Sequence, residues 1–337
     1  MGLAACQNPA GQQTLTQFKA YSFSYFDTAT IIVGHAESQE AFDAIADQAL
    51  ELLGEYHKLY DIYTRYEGME NLCTINDLTD GAHRTVTVDR RIIDMLLYAR
   101  EMYDKTNGVV NVAMGSVLKL WHDYRTLGTD DPTEAALPPM NKLQEAAQHT
   151  DITNMVIDEA ACTVTLTDPA MRLDVGAIAK GYATEQVAQW LTEQGVSGWL
   201  LNVGGNVRAV GAKPDGTPWT AGLEDPQDSE EGYLAYLNLT TEALVTSGSY
   251  QRFYIVDGKS YHHIIHPDTL MPAEGYLAVS VICPDSGMGD ALSTALFCMS
   301  IEDGKALIAT LEGVAVSWVT ADGTQIVSDG WNTYVKQ

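Results

Sequence analysis

The chain has 337 residues, 46% of them apolar, and a formal charge of −26 at neutral pH. That length supports one large domain or two closely joined ones with a substantial core, and the apolar share excludes a disordered or fibrous chain. The acidity argues against nucleic-acid partners, because a polyanion is repelled, and no apolar run reaches the length needed to cross a bilayer.

At the start, Leu3-Ala4-Ala5-Cys6 has the pattern at which a bacterial lipoprotein is cleaved and its cysteine acylated. The apolar leader that precedes such a cysteine is absent from the sequence as given. The polar stretch 7–17 reads as a tether. The expectation is a tether over 1–17, lipid-anchored through Cys6 to the outer face of a bacterial cell membrane, then a domain over 18–337; the alternative is a cytoplasmic protein. The other cysteines are Cys73, Cys162, Cys283 and Cys298, with no CxxC pair. Cys162, Cys283 and Cys298 lie among apolar neighbours and read as buried free thiols.

Residues 18–26 and 28–34 alternate as two strands. Ser38 is placed to cap a long helix with Phe42, Ile45, Ala49, Leu52, Leu53, Tyr56 and Leu59 on one face. A second helix is expected over 89–106, ended by Gly108. Residues 126–139, with three prolines and several acids, read as a loop. Beyond 155 the texture changes to short strands: a hairpin from 155–158 and 162–167, a helix over 177–194, and a hairpin turning at Gly204-Gly205-Asn206. Strands follow at 233–239, 252–256 and 261–265, then a helix over 288–299 and a closing hairpin at Asp322-Gly323. Strands and helices mix without steady alternation, so the fold class is α+β, with subdomains at 18–150 and 151–337 as one possible division.

An anionic ligand in so acidic a chain must meet a local cationic device, a metal ion or a placed lysine. The segment 173–182 offers one. Gly176 and Gly181 bracket a tight start to a helix whose free amides can receive phosphate, with Asp174 before it and Lys180 within it. A capped helix with a solvated lysine fits the same residues. Asp290 and Thr294, four apart, share a helix face, and hard oxygens of that kind suit Mg2+. An N-terminal helix acid and a threonine bonded to its own helix also fit. In the stretch 261–267, His262, His263 and His266 lie close in sequence, but adjacent strand residues face opposite ways; one working histidine and two bystanders is the preferred reading. Tyr66, after the long helix, can stack on a flat ring system or serve as an ordinary core tyrosine.

Taken in order, LDVGAIAKGYA, LLNVGGNVRAVG, TSGSYQRFY, YHHIIHPDTLMP and GDALSTALF resemble the successive signature blocks of the ApbE family of FAD:protein FMN transferases. The stretches 66–76 and 107–111 fit its earlier blocks. The resemblance implies mixed and antiparallel sheets with packed helices and an FAD site between the two halves. It implies Mg2+ held by the Ala177 carbonyl, Asp290 and Thr294. Asp174 would contact the flavin nucleotide, Lys180 would lie near the phosphates and Tyr66 would stack on the isoalloxazine. Phe26 takes the place of a family methionine, Val109, Val110 and Asn111 line the cofactor, and His263 belongs at the active site.

The implied reaction is Mg2+-dependent transfer of FMN from FAD to a threonine or serine hydroxyl of an acceptor flavoprotein, with release of AMP. Acceptors in the family are subunits of membrane redox pumps or extracellular reductases. Asp290 and His263 would be catalytic, His263 as general base. The alternatives are a Mg2+-dependent FAD pyrophosphatase and a non-catalytic FAD-binding lipoprotein. Asn111, Asn206, His266 and Leu270 depart from the commonest family pattern, the first three replacing aspartate and the last glycine.

Overall fold

The computed structural model describes residues 15–77, 85–227 and 232–337. Cys6 and nearly all of the expected tether lie outside the described residues.

The first two strands, β1 (Thr16–Tyr25) and β2 (Thr28–Ala36), pair antiparallel. Their turn places Phe26 and Asp27 at φ 54° and 51°, the double left-handed geometry whose twist matches the strands it joins. Helix α1 (Gln39–Tyr60) starts where the Ser38 hydroxyl accepts from the Ala41 amide at 3.2 Å, and it buries Phe42, Ala49, Leu53, Tyr56 and Leu59. A short α2 (Leu72–Asn76) and strand β3 (Thr85–Thr87) lead to α3 (Arg90–Lys105), capped by Asp89. Next comes α4 (Gly115–Asp130), which overturns the expected loop over 126–139: the helix runs through 130, and Trp121 anchors it by donating Nε1–H to the Leu270 carbonyl at 2.8 Å. Its exposed half is polar, which disguised it. Helix α5 (Met140–Ala146), strands β4 (Met155–Asp158) and β5 (Thr163–Leu166), and helix α6 (Ala179–Glu193) follow.

The remaining strands are β6 (Trp199–Val203), β7 (Asn206–Val210), β8 (Trp219–Glu224), β9 (Tyr233–Leu239), β10 (Ala243–Gly248), β11 (Phe253–Val256), β12 (Lys259–His262) and β13 (Tyr276–Cys283). Helices α7 (Ser286–Phe297) and α8 (Ile301–Ile308) and strands β14 (Ala315–Thr320) and β15 (Gln325–Val327) complete the described order. The last expected strand of the histidine segment is shorter and earlier than 261–265: β12 stops at His262, and Ile265 makes only a bridge to Pro272.

One eight-stranded sheet organises the molecule in the order β1-β2-β6-β7-β10-β13-β14-β15, antiparallel throughout. Alternation sends Ile32, Leu201 and Val203 to the face covered by α1 and α6, while Ala209, Leu244 and Ile282 pack under the β8–β9 hairpin with Trp219 and Trp331. Strand β13 is covered on both faces: Val279, Val281 and Cys283 meet α7 and Trp318, and Ile282 faces the hairpin. Hairpin β11–β12 packs Tyr254 and Val256 against α4 through Trp121. Pairing crosses residue 150 twice, through β2–β6 and β3–β5. Cys283 is buried, but Cys162 and Cys298 are only half-buried, Cys162 because it sits in the β4–β5 turn at φ 50°.

Candidate active site

Helices α6 and α7 approach so closely that a Cβ on Gly181 would lie 2.3 Å from the Ser286 carbonyl oxygen and 2.5 Å from the Asp290 Cβ. The missing side chain is what lets the Gly181 amide donate to Asp290 Oδ2 at 2.7 Å. Asp290 Oδ1 then faces Lys180 Nζ at 3.5 Å. Lys180 also donates to Asn206 Oδ1. One turn beyond Asp290, Thr294 sits with its hydroxyl 3.4 Å from that of Ser247. Burial holds the Lys180 ammonium below its ordinary range, with Asp290 opposing the shift. These groups form one wall of a cavity of about 840 Å³.

The segment before α6 forms the adjoining wall. Asn76 pins it by exchanging two hydrogen bonds with the backbone of Leu173, at 2.8 and 2.7 Å. The Asp174 amide donates to the Val112 carbonyl at 2.8 Å, and its Oδ1 accepts from the Gly176 amide at 2.9 Å. Burial raises the Asp174 carboxyl, opposed by that amide and by the charge of Arg125. Ala177 lines the cavity beside it. Asn111 explains its own departure from aspartate: Oδ1 accepts from the Ala113 amide at 2.8 Å, while Nδ2 donates to the Thr150 carbonyl at 2.9 Å. A carboxylate cannot make the second bond. Val109 and Val110 complete that stretch of wall.

Aromatic groups close another side. Phe26 meets His57 edge-on at 5.4 Å, and its amide donates to His57 Nδ1 at 3.2 Å. Tyr66 lines the cavity with its hydroxyl donating to Asp61 Oδ2 at 2.9 Å. Burial, then the Asp61 bond, push that phenol up to about 12, so it stays protonated.

Of the three neighbouring histidines, only His263 reaches the cavity. His262 bonds to the Ala273 carbonyl at 2.8 Å and packs on Phe297, and His266 accepts from the Asp268 amide in a turn. The Arg252 carbonyl lies 3.1 Å from the His263 amide nitrogen and 3.2 Å from its Nδ1. A carbonyl only accepts, so Nδ1 carries the proton and Nε2 keeps its lone pair. Burial, then the charges of Arg252 and Arg125, push the imidazole down to about 4.

All eleven candidate residues thus line one cavity, with contributions from both sides of residue 150. Several further lining residues were not singled out in the sequence: Tyr63, His122 and Arg125 among them, with Ser247 and Arg252 noticed only as part of a block. The α4 pair had a signal, since Met114, Leu118, Trp121 and Arg125 recur at helical spacing.

A family model described as the ApbE family matches residues 25–318. An FAD:protein FMN transferase of Klebsiella pneumoniae (strain 342) is 31% identical over 85% of this chain and 85% of its own length. One of Treponema pallidum (strain Nichols) is 34% identical over 70% of this chain and 67% of its own length. Among solved structures, the ApbE protein of Thermotoga maritima superposes with a TM-score of 0.83 at 27% identity, covering 96% of this chain and 100% of that one. The flavin transferase ApbE of Vibrio cholerae, at 21% identity, shares the fold with a TM-score of 0.76 over 95% of this chain and 100% of that one. The chain belongs to the ApbE family.

Proposed function

We propose that this chain is an FAD:protein FMN transferase, moving FMN from FAD to a threonine or serine hydroxyl of an acceptor flavoprotein and releasing AMP. The observation that carries the reading is the convergence, in one cavity of dinucleotide size, of the Asp290–Lys180–Thr294 cluster with a neutral histidine whose lone pair is free.

The cluster suits Mg2+. Asp290 is buried with one carboxylate oxygen committed to the Gly181 amide and the other turned to Lys180, Thr294 adds a hydroxyl oxygen, and the Ala177 carbonyl would complete the protein's share. Hard oxygens in small number are what Mg2+ takes when substrate phosphates and water supply the rest. When bound, the ion would act as a Lewis acid on the pyrophosphate oxygens.

The chain's own residues do the remainder. Tyr66 and Phe26 offer faces to the isoalloxazine, Asp174 contacts the flavin nucleotide between the α6 start and the stretch Val109, Val110 and Asn111, and Lys180 neutralises phosphate charge. His263 Nε2 takes the proton of the acceptor hydroxyl as its oxygen bonds to the FMN phosphorus. The P–O bond to the AMP phosphate breaks, and its electron pair leaves on AMP. Such transfer depends on positioning and charge neutralisation more than on covalent help.

The test is incubation with FAD, Mg2+ and a small FMN-binding domain bearing the acceptor threonine, read by intact mass. A gain equal to FMN less one water, abolished by EDTA and by Asp290→Ala, supports the transferase. Release of FMN and AMP without a gain makes the chain a pyrophosphatase; FAD left intact makes it a carrier. The Leu3-Ala4-Ala5-Cys6 pattern further supports a lipid on Cys6 and a place outside the cytoplasm; a labelled fatty acid not incorporated in a bacterial host would refute it.

A further inference from the structure

Two cations on the cavity wall have no part in the scheme above. Arg125 on α4 and Arg252 just before β11 both line the cavity, and among the described residues neither guanidinium has a carboxylate within ion-pair distance. In a chain with 45 acidic and 19 basic residues, Arg65, Arg90, Arg91 and Arg208 have acids at hand, while Arg100 and Arg172 donate to the backbone carbonyls of Met155 and Asn76. Arg125 and Arg252 instead share one cavity, with no acid paired to either among the described residues.

Their surroundings keep the charge uncompensated. Arg125 Nη2 lies 3.1 Å from His122 Nδ1. A guanidinium only donates, so that nitrogen accepts and His122 is neutral. Tyr63 packs over the His122 ring with centroids 4.8 Å apart, fixing the partner that aims Arg125. Arg252 is tied to the catalytic histidine through its own carbonyl, which holds the His263 amide and ring. The carboxyl whose charge balance Arg125 most affects, Asp174, is itself buried and engaged by the Gly176 amide. Lys180, the lysine of the cavity, already has Asp290.

The reaction develops negative charge inside the cavity that these arginines line. FAD enters with one negative charge on each phosphate. When the acceptor oxygen displaces AMP, the FMN phosphodiester keeps one charge, while AMP leaves as a monoester carrying the electron pair of the broken bond. The new charge therefore appears on the AMP side, while His263 holds the proton. Fixed guanidiniums are suited to receive it. We propose that Arg125 and Arg252 form an oxyanion subsite that binds the AMP phosphate of FAD and takes up the charge developing on it. This rests on the transferase reading for its catalytic part, but not for its binding part.

The experiment measures dissociation constants for AMP, FAD and riboflavin with Mg2+ present and no acceptor, in the full chain and in Arg125→Gln, Arg252→Gln and Arg252→Lys. AMP and FAD are expected to weaken roughly tenfold or more in each glutamine variant, with riboflavin unchanged and the lysine variant in between. AMP binding unchanged within about twofold, or riboflavin weakened equally, would overturn the subsite. If wild-type chain never transfers FMN, yet the glutamine variants lose AMP, the transferase reading fails and the subsite stands.

Discussion

Single side chains decide the chemistry here, and His263 shows how. Its proton sits on Nδ1 because a carbonyl lies there, and burial beside two arginines holds the ring neutral down to about pH 4. A bound dinucleotide adds negative charge beside those arginines, so the acid limb of kcat should lie at higher pH than that of kcat/KM. His263→Ala should cost about 10²–10⁴ in transfer and erase the limb; a pH profile that keeps its shape in the variant refutes the role. Stability follows with a definite sign. The folded ring binds its proton more weakly than the unfolded one, so this contribution is complete above about pH 6.5 and is lost as pH falls toward 4.

At the same scale, Asp290→Asn keeps an acceptor for the Gly181 amide and removes the charge. The variant should fold, lose any rise in melting temperature on adding Mg2+, and transfer at least about a hundredfold more slowly. Asn111→Asp would restore the commoner family residue and is expected to destabilise by about 1–3 kcal/mol, by setting a carboxylate against the Thr150 carbonyl. A urea titration decides that. The sequence could show that Asn111 departs from its family, but not that a carbonyl 39 positions later requires the amide.

Between elements, the contact that positions the site is α6 against α7, and its weak point is Gly181. Alanine there must displace the Ser286 backbone or Asp290 itself. Overpacking of this kind costs about 1–3 kcal/mol, and the displacement should weaken Mg2+ binding beyond what the lost stability explains; unchanged metal affinity would deny the link between helix spacing and site. The Glu185–Arg208 pair, with Glu185 buried and Arg208 half-buried, supports the same contact, because Glu185 also receives the Ser286 amide at 2.9 Å.

Legibility in the sequence followed solvent exposure. Helix α1 was readable from its cap and one-sided apolar face, and β1, β2 and the β6–β7 hairpin from alternation and turn residues. Strands β10 and β13 were not, since the sheet buries β13 on both faces and removes the alternation. Helix α4 was hidden by its polar outer half, and with it went Arg125 and His122. The residues proposed for metal and nucleotide could be named because their blocks keep order and spacing; the guanidinium pair could not, because only folding brings positions 125 and 252 to one cavity.

For the whole molecule, the open issue is whether 18–150 and 151–337 behave as separate units. Strand pairing across residue 150 and an apolar cluster running from Ile32 to Ala295 argue for joint unfolding. The cavity argues the same way, since Phe26, Tyr66 and Asn111 line it together with Asp174, His263 and Asp290. Calorimetry should therefore give one transition. FAD with Mg2+ at about a hundred times its dissociation constant should add about 2.7 kcal/mol and move the whole transition upward by a few degrees. A ligand that stabilises only the folded cavity must stabilise every element whose unfolding destroys it. Two transitions, one of them unmoved by ligand, would mean that half the molecule unfolds without opening the site, and the shared-cavity account would have to be abandoned.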